Sequence, residues 1–426
     1  MNPYLEQCQV ERQKRQTDPV DSADQQRRAL EWQRFDECGW PNTRLEKWKY
    51  TSLSSLEKLA LPTALVRDPG FVMGSQDFLR ADGLVISWVD GQIDLENSSI
   101  SELPAGVEIL FWSTMTPDER DKFAQLLVQS RRLSALGALN GALLSEGVWI
   151  RVSPGACLEV PVFLIHQTSQ SCAMHLAVVV EMAVQSQLTI CERWMSTRDQ
   201  PTHVNLVTAF HLAEYAQLTW IKAQQGGNGS YHTAGLWAAL LGHAQLRLYP
   251  FGLAGSLVRH DIQVLLQQPR AECTIRGVYR VCDREMQDFH TSVEHLAPHC
   301  TSDECFKGVL DGSGKAVFNG QVRVALDAQK TQSQLANHNL LLSEKAEINT
   351  KPELEIFADD VRCSHGTTVG QLDENQWFYL RSRGIEMETA RHLLVHAFTR
   401  EISDAIPHAG IRDVMNQWLG DDCYGA

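Results

Sequence analysis

A motif that recurs about every 30 residues constrains the fold of this chain more than any other feature. Each copy is a small residue, one intervening residue and then alternating apolar positions, beginning at Ala156, Ser186, Ala216, Ala244 and Ala271. The steps are 30, 30, 28 and 27 residues, and the related pair Ala316 and Ala346 is again 30 residues apart. Such repetition is typical of solenoids and propellers, whose units bury apolar faces by stacking. A propeller blade needs about 40 residues, so the shorter period favours a β-helix.

Strand patterns fill the region between Val148 and Arg362, where helical patterns nearly vanish. Apolar and polar side chains alternate over residues 258–267 and 273–281, and again at Val322, Val324 and Leu326. Alternation with a period of two indicates half-buried strands. The sequence therefore predicts a mainly β fold, a parallel β-helix.

Helical signals lie on the N-terminal side of these strands. Ser22 followed by Gln25 is a capping-box signature for a helix that stops at Gly39. A second helix is predicted to begin after Thr116, with Pro117 at its first position.

Helical signals return after the last predicted strand. Asp373 with Gln376 forms a capping arrangement, and an apolar stripe runs from Met387 to Ile402. These helices could cap the end of the solenoid, where strand edges would otherwise be exposed. We divide the chain into an N-terminal helical and mixed region (1–147), a β-helix core (148–370) and a C-terminal helical domain (371–426).

Charge and composition exclude several functional classes. The chain has 38 basic and 52 acidic residues, a net charge of −14, and no basic patch of the kind that nucleic acid requires. No apolar run approaches the ~20 residues needed to cross a bilayer, and the N-terminus is too charged for a signal peptide. We expect a cytoplasmic protein without a membrane or nucleic-acid partner. Its 11 cysteines include no C-x-x-C pair, so we expect reduced thiols rather than a disulfide framework or zinc ribbon.

Motifs of common enzymes are absent from the sequence. The segment from Gly308 to Lys315 has five residues rather than four before its Gly-Lys pair, and Ala316 replaces the magnesium-binding hydroxyl of a phosphate-binding loop. We interpret Gly312-Ser313-Gly314 as a turn between strands and expect no bound nucleotide. There is also no G-x-S-x-G or H-E-x-x-H. The chain is predicted not to be an enzyme, although a β-helix enzyme acting on polysaccharides stays an alternative.

Two groups of residues have the chemistry of metal ligands. The first comprises His290, His295, His299, Cys300 and Cys305, which are donors for soft or borderline metals. Pro298 and strand alternation argue against a common face, so turns and strand-edge hydrogen bonds are the alternative role. The second group is Cys363 and His365, predicted in a Gly-flanked turn. Thiolate and imidazole bind iron, but two donors do not close a site.

Three blocks carry a resemblance to a known family. They are P-E-L-E-I-F-A-D-D-V through F-Y-L-R-S-R-G-I (352–385), the G-x-P-x-x-x-x-E-x-W-K-Y-T pattern from Gly39 to Thr51, and the H-T-x-x-x-H-x-A-P-H pattern from His290 to His299. In these blocks the chain resembles the SufD group of the SufB/SufD family of iron–sulfur cluster assembly proteins. The resemblance implies a right-handed parallel β-helix with helical ends.

The resemblance also implies a function. A scaffold subunit would pair with a SufB-like homologue and recruit a SufC-like ABC-type ATPase, with a sulfur-donating desulfurase system as a further partner. A transient Fe–S cluster would form at the subunit interface, with His365 as ligand or assembly residue and Cys363 as auxiliary thiol. The ATPase would dock on the helices of residues 373–402. The partner-binding residues are expected to be Gln371, Leu372, Phe378, Tyr379, Arg383 and Met387. A purely structural adaptor without a metal site is a second alternative.

Overall fold

The computed structural model describes residues 2–17, 22–63, 83–100, 102–196 and 200–420. Its helices are α1 (Pro3–Thr17), α2 (Ser22–Cys38), α3 (Pro117–Leu126), α4 (Val128–Arg131), α5 (Ala135–Leu143), α6 (Glu374–Ser382), α7 (Met387–Asp404) and α8 (Ala409–Gly420). Its strands are β1 (Leu84–Val89), β2 (Gln92–Ile93), β3 (Val107–Phe111), β4 (Glu146–Val152), β5 (Val162–Thr168), β6 (Cys172–Met182), β7 (Gln187–Ser196), β8 (Thr202–Leu212), β9 (Gln217–Gln225), β10 (Ser230–Leu240), β11 (Gln245–Ala254), β12 (Leu257–Leu266), β13 (Glu272–Val281), β14 (Met286–His295), β15 (Thr301–Leu310), β16 (Lys315–Val324), β17 (Gln332–Leu341), β18 (Glu347–Ile356) and β19 (Arg362–Gly370).

The strands form a parallel β-helix of about eight coils. From β4 onward, successive strands alternate between two sheets, ordered β19-β17-β15-β13-β11-β9-β7-β5-β1-β2 and β18-β16-β14-β12-β10-β8-β6-β4-β3. From β4 onward every pairing is parallel, whereas β2 and β3 add antiparallel strands at the first coils. The prediction of a mainly β solenoid with helical ends is confirmed.

The sequence motif marks one corner of each coil. Gln185, Tyr215, His243 and Arg270 have φ values of 58°, 59°, 57° and 63°, and each directly precedes a small residue of the motif. The small residue is buried at the start of the next strand, as Ala216 is at 0 % exposure. A left-handed residue turns the chain sharply, and the buried position beside it holds a small side chain in each of these coils.

The corner series continues beyond the motif that the sequence analysis recognised. His299 and Lys330 have φ values of 61° and 62° and precede the buried residues Cys300 and Thr331. Ala316, at the second position of β16, and Ala346, just before β18, belong instead to the other sheet. Serine, cysteine and threonine replace alanine at the corner because a short side chain is all that the position requires.

The interior of the β-helix has an aliphatic half and a polar half. In β9, for example, the inward positions Leu218 and Trp220 are followed by Lys222 and Gln224. The polar half between β5 and β10 contains His166, Glu192, Trp194, Lys222, Gln224, Ser230 and His232, all of them buried.

The helices pack along the flanks of the β-helix. Aromatic residues of the N-terminal segment, among them Trp32 and Phe35, join a cluster that reaches Tyr231 and Leu257 of the second sheet. Residues of α7 and α8 form another cluster with the outer face of the first sheet; it includes Ile402, Ile411, Met415, Ile221, Tyr249 and Phe251. The C-terminal helices thus contact a flank through their apolar stripe, and this stripe does not cap the last coil.

Local helix signals agree with the structure. Thr116 and Glu119 form a complete capping box before Pro117, and Asp373 accepts hydrogen bonds from the first backbone amides of α6. Gly39 follows α2 with φ of 71°. The domain boundaries stay predictions, and β1, inside the predicted N-terminal region, joins the first sheet.

Candidate functional site

Cys363 and His365 lie on β19, the last strand of the first sheet. The prediction that they occupy a turn is wrong, because Cys363 pairs with Ser333 and His365 with Leu335 in the parallel ladder to β17. Pairing with β17 of the preceding coil therefore holds the backbone of the C-S-H-G sequence in an extended conformation.

The two side chains point to the same face of β19. Residues two apart on a strand share a face, and Cys363 packs against the main interior cluster. His365 is exposed because β19 is the last strand of its sheet among the described residues. Burial raises the pKa of the half-buried Cys363 thiol, and a hydrogen bond from the Ser333 backbone partly opposes this.

These two residues supply too few donors for a closed metal site. Within the described part of the chain, no three His, Cys, Asp or Glu side chains are grouped closely enough to hold a metal ion. A thiol and an imidazole on an open surface can serve as part of a larger ligand set. The remaining donors would have to come from another molecule.

The other predicted ligand group does not converge. His290 faces outward, with its Nε2 atom 2.9 Å from Asp288 Oδ1, whereas His295 points into the interior and lies 2.9 Å from Ser302 Oγ through Nε2. Burial lowers the pKa of His295 to about 4. The expectation that alternation separates these two histidines is confirmed.

The remaining members of this group have separate surroundings. His299 is exposed in a corner turn, Cys300 is buried beside the Gln268 carbonyl at 3.3 Å, and Cys305 packs on the outer cluster beneath the C-terminal helices. These residues therefore make turns, packing contacts and hydrogen bonds.

The last coil presents an uncovered surface beside His365. β18 and β19 are the outermost strands of their sheets, so each has a free edge on one side. Apolar side chains surround these edges, with exposed fractions of 40 % for Ile356, 55 % for Phe357 and 52 % for Val369. Free edges with apolar neighbours favour pairing with another chain.

The predicted partner-binding residues lie on or beside α6, a helix with no buried residue. Phe378 and Tyr379 are 75 % and 56 % exposed, and Met387 at the start of α7 is 46 % exposed. The Arg383 guanidinium lies 5.2 Å from the centre of the Tyr379 ring. Gln371 is exposed, while Leu372 is half-buried beside the cluster of Val309, Leu340 and Val395.

The W-K-Y-T block combines packing with exposed groups. Trp48 is buried, with the Arg259 guanidinium 3.9 Å from its ring centre. Thr51 donates a hydrogen bond of 2.6 Å to Asp288, which also pairs with Arg259. Burial opposes ionisation of Asp288, but Arg259, His290 and Thr51 together lower its pKa to about 2. No local sequence pattern marks this buried ion pair, because its members are 29 residues apart.

Comparison with protein families decides the relationship of the chain. Residues 163–398 match the model of the SufBD core domain of SUF system FeS cluster assembly. The chain therefore belongs to the SufBD family. This membership agrees with the resemblance in the three sequence blocks.

Relatives in the SufBD family match nearly the whole chain. An iron–sulfur cluster assembly SufBD family protein of Synechocystis is 32 % identical over 392 residues, which cover 88 % of this chain and 86 % of the relative. The iron–sulfur cluster assembly protein SufD of Escherichia coli is 30 % identical over 395 residues, covering 91 % and 90 %. The chloroplastic protein ABCI7 of Arabidopsis thaliana is 25 % identical over 385 residues, covering 88 % and 81 %. Among the described residues of this SufBD family member, no helix is long and apolar enough to cross a membrane.

Proposed function

We propose that this SufBD family member is a scaffold subunit of a cytoplasmic iron–sulfur cluster assembly complex. Its last coil pairs with a SufB-like homologue, and its C-terminal helices dock a SufC-like ABC-type ATPase. The nascent cluster, which is cargo, forms at the interface of the two β-helices. A desulfurase system supplies sulfide, and ATP hydrolysis belongs to the ATPase partner.

The uncovered last coil carries the pairing proposal. β18 and β19 offer two free edges with unpaired backbone groups on the side away from the preceding coils. Ile356 and Val369 place apolar surface beside those edges. A homologous β-helix would satisfy both features by continuing the sheets across the interface.

His365 stands at the centre of this proposal. Its imidazole is exposed on the strand that would meet the partner, and Cys363 lies two residues before it on the same face. Metal binding releases the proton of a thiol and requires a neutral imidazole. Both groups would therefore join donors of the SufB-like subunit in holding the nascent cluster, with Cys363 in the lesser role.

The exposed face of α6 supports the docking proposal. Phe378 and Tyr379 are large aromatic side chains that are mostly exposed in this chain, and such residues often dominate binding energy when a partner covers them. On the neighbouring α7, Lys307 from β15 donates hydrogen bonds to the Phe398 carbonyl and to Glu401. These hydrogen bonds between α7 and β15 would thus transmit a movement of the bound ATPase to the β-helix.

The test is anaerobic cluster reconstitution in the complex with SufB-like and SufC-like partners. We expect His365→Ala to retain the complex but to lose most of the cluster absorbance. His299→Ala, an exposed histidine in a corner turn, is the matched control and should keep full absorbance. Unchanged absorbance in His365→Ala would leave the chain a structural adaptor.

The enzyme alternative has its own outcome. If no complex forms with either partner, the pairing proposal fails and the isolated chain should be assayed on polysaccharides. Formation of the complex together with inactivity on polysaccharides supports the scaffold.

A further inference from the structure

The polar half of the interior contains buried polar atoms that have no hydrogen-bond partner within the described part of the chain. Between β5 and β10 these atoms are His166 Nδ1 and Nε2, Glu192 Oε2, Lys222 Nζ, Gln224 Oε1, Ser230 Oγ and His232 Nε2. Lys222 is 1 % exposed and Glu192 is 0 % exposed. Each such group opposes folding unless something satisfies it, so the interior requires an occupant.

Contacts place these groups in one region rather than at scattered sites. Lys222 Nζ lies 3.7 Å from Glu192 Oε1, which is longer than a direct hydrogen bond, and 5.6 Å from the centre of the Trp194 ring. The same Trp194 ring stacks on His166 at 3.7 Å and contacts His232 at 5.1 Å between ring centres.

The second end of the region lies at the turn after β11. A Cβ atom built on Gly255 would meet Ser230 Oγ at 3.0 Å and Gln224 Nε2 at 3.3 Å. Both side chains therefore pack closely against Gly255, and Gln224 lies two residues beyond Lys222 on β9. An occupant that joins them must be small.

The chemistry of the groups selects the occupant. An ammonium group such as that of Lys222 can only donate hydrogen bonds, whereas Glu192 Oε2 and Gln224 Oε1 can only accept them. A metal cation would be repelled by Lys222, and an anion would be repelled by Glu192. Only a small neutral molecule that both donates and accepts hydrogen bonds satisfies every group, and water is such a molecule.

We infer that the polar half of the β-helix is an internal water-binding site, in which water molecules bridge Lys222, Glu192, Gln224, Ser230 and the imidazoles of His166 and His232. A buried water makes about three hydrogen bonds, so about two or three molecules satisfy these atoms. Burial lowers the pKa of Lys222 to about 8, opposed by Glu192.

X-ray radiolysis of the full chain tests this site, because hydroxyl radicals formed from bound water oxidise buried side chains beside it. Trp194 and Trp220 are 4 % and 2 % exposed and lie 5.6 and 5.7 Å from Lys222 Nζ. We expect mass spectrometry to show that they oxidise several-fold faster than Trp112, a control that is 6 % exposed and packs in a cluster outside the interior. Oxidation no faster than that of Trp112 overturns the inference.

A crystal structure that resolves ordered water gives a second, independent test. The expected result is water within hydrogen-bond distance of both Lys222 Nζ and Glu192 Oε2. A direct hydrogen bond between these two groups, with no water beside them, contradicts the inference. Neither measurement depends on cluster assembly, so its result is separate from that of the proposed function.

Discussion

Leu335 and His365 are direct neighbours in the ladder between β17 and β19, yet Leu335 is fully buried and His365 is exposed. The same inward position has opposite environments because β19 covers Leu335, whereas no further strand in the described part of the chain covers His365. The solenoid ends with its interior open. This end is the surface on which the proposed pairing depends.

A charge on the uncovered end should block pairing. Val369→Asp places a carboxylate at a side chain that is 52 % exposed, so the isolated chain should lose no more than about 0.5 kcal/mol of unfolding free energy. Binding of the SufB-like partner should weaken at least tenfold, because the carboxylate would be desolvated in an apolar interface. Calorimetry of the complex checks this. Ser364→Asp, on the opposite face of the same strand, is the control, and equal weakening by both variants would contradict the proposed face.

The aromatic residues of α6 should matter for binding and not for folding. Phe378 is 75 % exposed, so Phe378→Ala should leave the unfolding free energy nearly unchanged. Affinity for the ATPase partner should fall by about 1–3 kcal/mol, in the range of buried aromatic anchors. Phe398→Ala is the converse variant, since Phe398 packs beside Val309 and Leu340 and its loss should destabilise the chain by roughly 2 kcal/mol. Unchanged ATPase affinity in Phe378→Ala would exclude this face of α6 as the dock.

The buried pair of Arg259 and Asp288 should anchor the W-K-Y-T block. Asp288→Asn leaves the fully buried Arg259 guanidinium with Asp261 as its remaining carboxylate partner, and removing one partner of a buried ion pair typically costs about 3–5 kcal/mol. Chemical denaturation measures this loss. Asp261→Asn removes a second, less buried partner of Arg259 and should cost clearly less. Similar losses in the two variants would show that Asp288 is not the main anchor.

Acid should weaken the same pair over a defined pH window. Because the folded-state pKa of Asp288 is lowered to about 2 from an ordinary value of 3.8, its contribution is complete above about pH 4. It is lost as the pH falls from about 4 to about 2, and amounts to about 2 kcal/mol. Comparing the acid unfolding of wild type with that of Asp288→Asn isolates this contribution. If the difference in unfolding free energy between wild type and Asp288→Asn stays constant between about pH 4 and pH 2, the lowered pKa of Asp288 is contradicted.

The corner turns should tolerate glycine where strands do not. Arg270 has φ of 63°, a conformation that costs a non-glycine residue about 1–2 kcal/mol. Arg270→Gly should therefore raise stability by about 0.5–1 kcal/mol after the larger entropy loss of glycine is included. Glu272→Gly, two residues later on β13, should lower it. Thermal unfolding of both variants checks the prediction, and a loss of stability in Arg270→Gly would count against a strained corner.

Much of the candidate site was predictable, and the part that failed has a physical cause. The sequence motif identifies Cys363 and His365 as candidate ligands. The spacing of two residues that they share with Thr367 and Val369 is the signal for a strand, whereas the neighbouring Gly366 favours a turn. The Arg259 and Asp288 pair carried no signal, because no local pattern marks two residues of neighbouring coils as partners. The same applies to the water site, whose groups extend from His166 to His232.

The sequence by itself determined the coil period, most of the strands, the helix caps before α3 and α6 and the family, because each depends on local spacing or on motifs within a few residues. Tertiary structure alone decided that the C-terminal apolar stripe covers a flank, that the last coil stays open, and that polar groups 28 to 30 residues apart meet inside. Stacking of coils brings together residues that are distant in the chain. The physical reason is that burial at each position depends on the next coil, and the described ranges contain no coil after the one that carries His365.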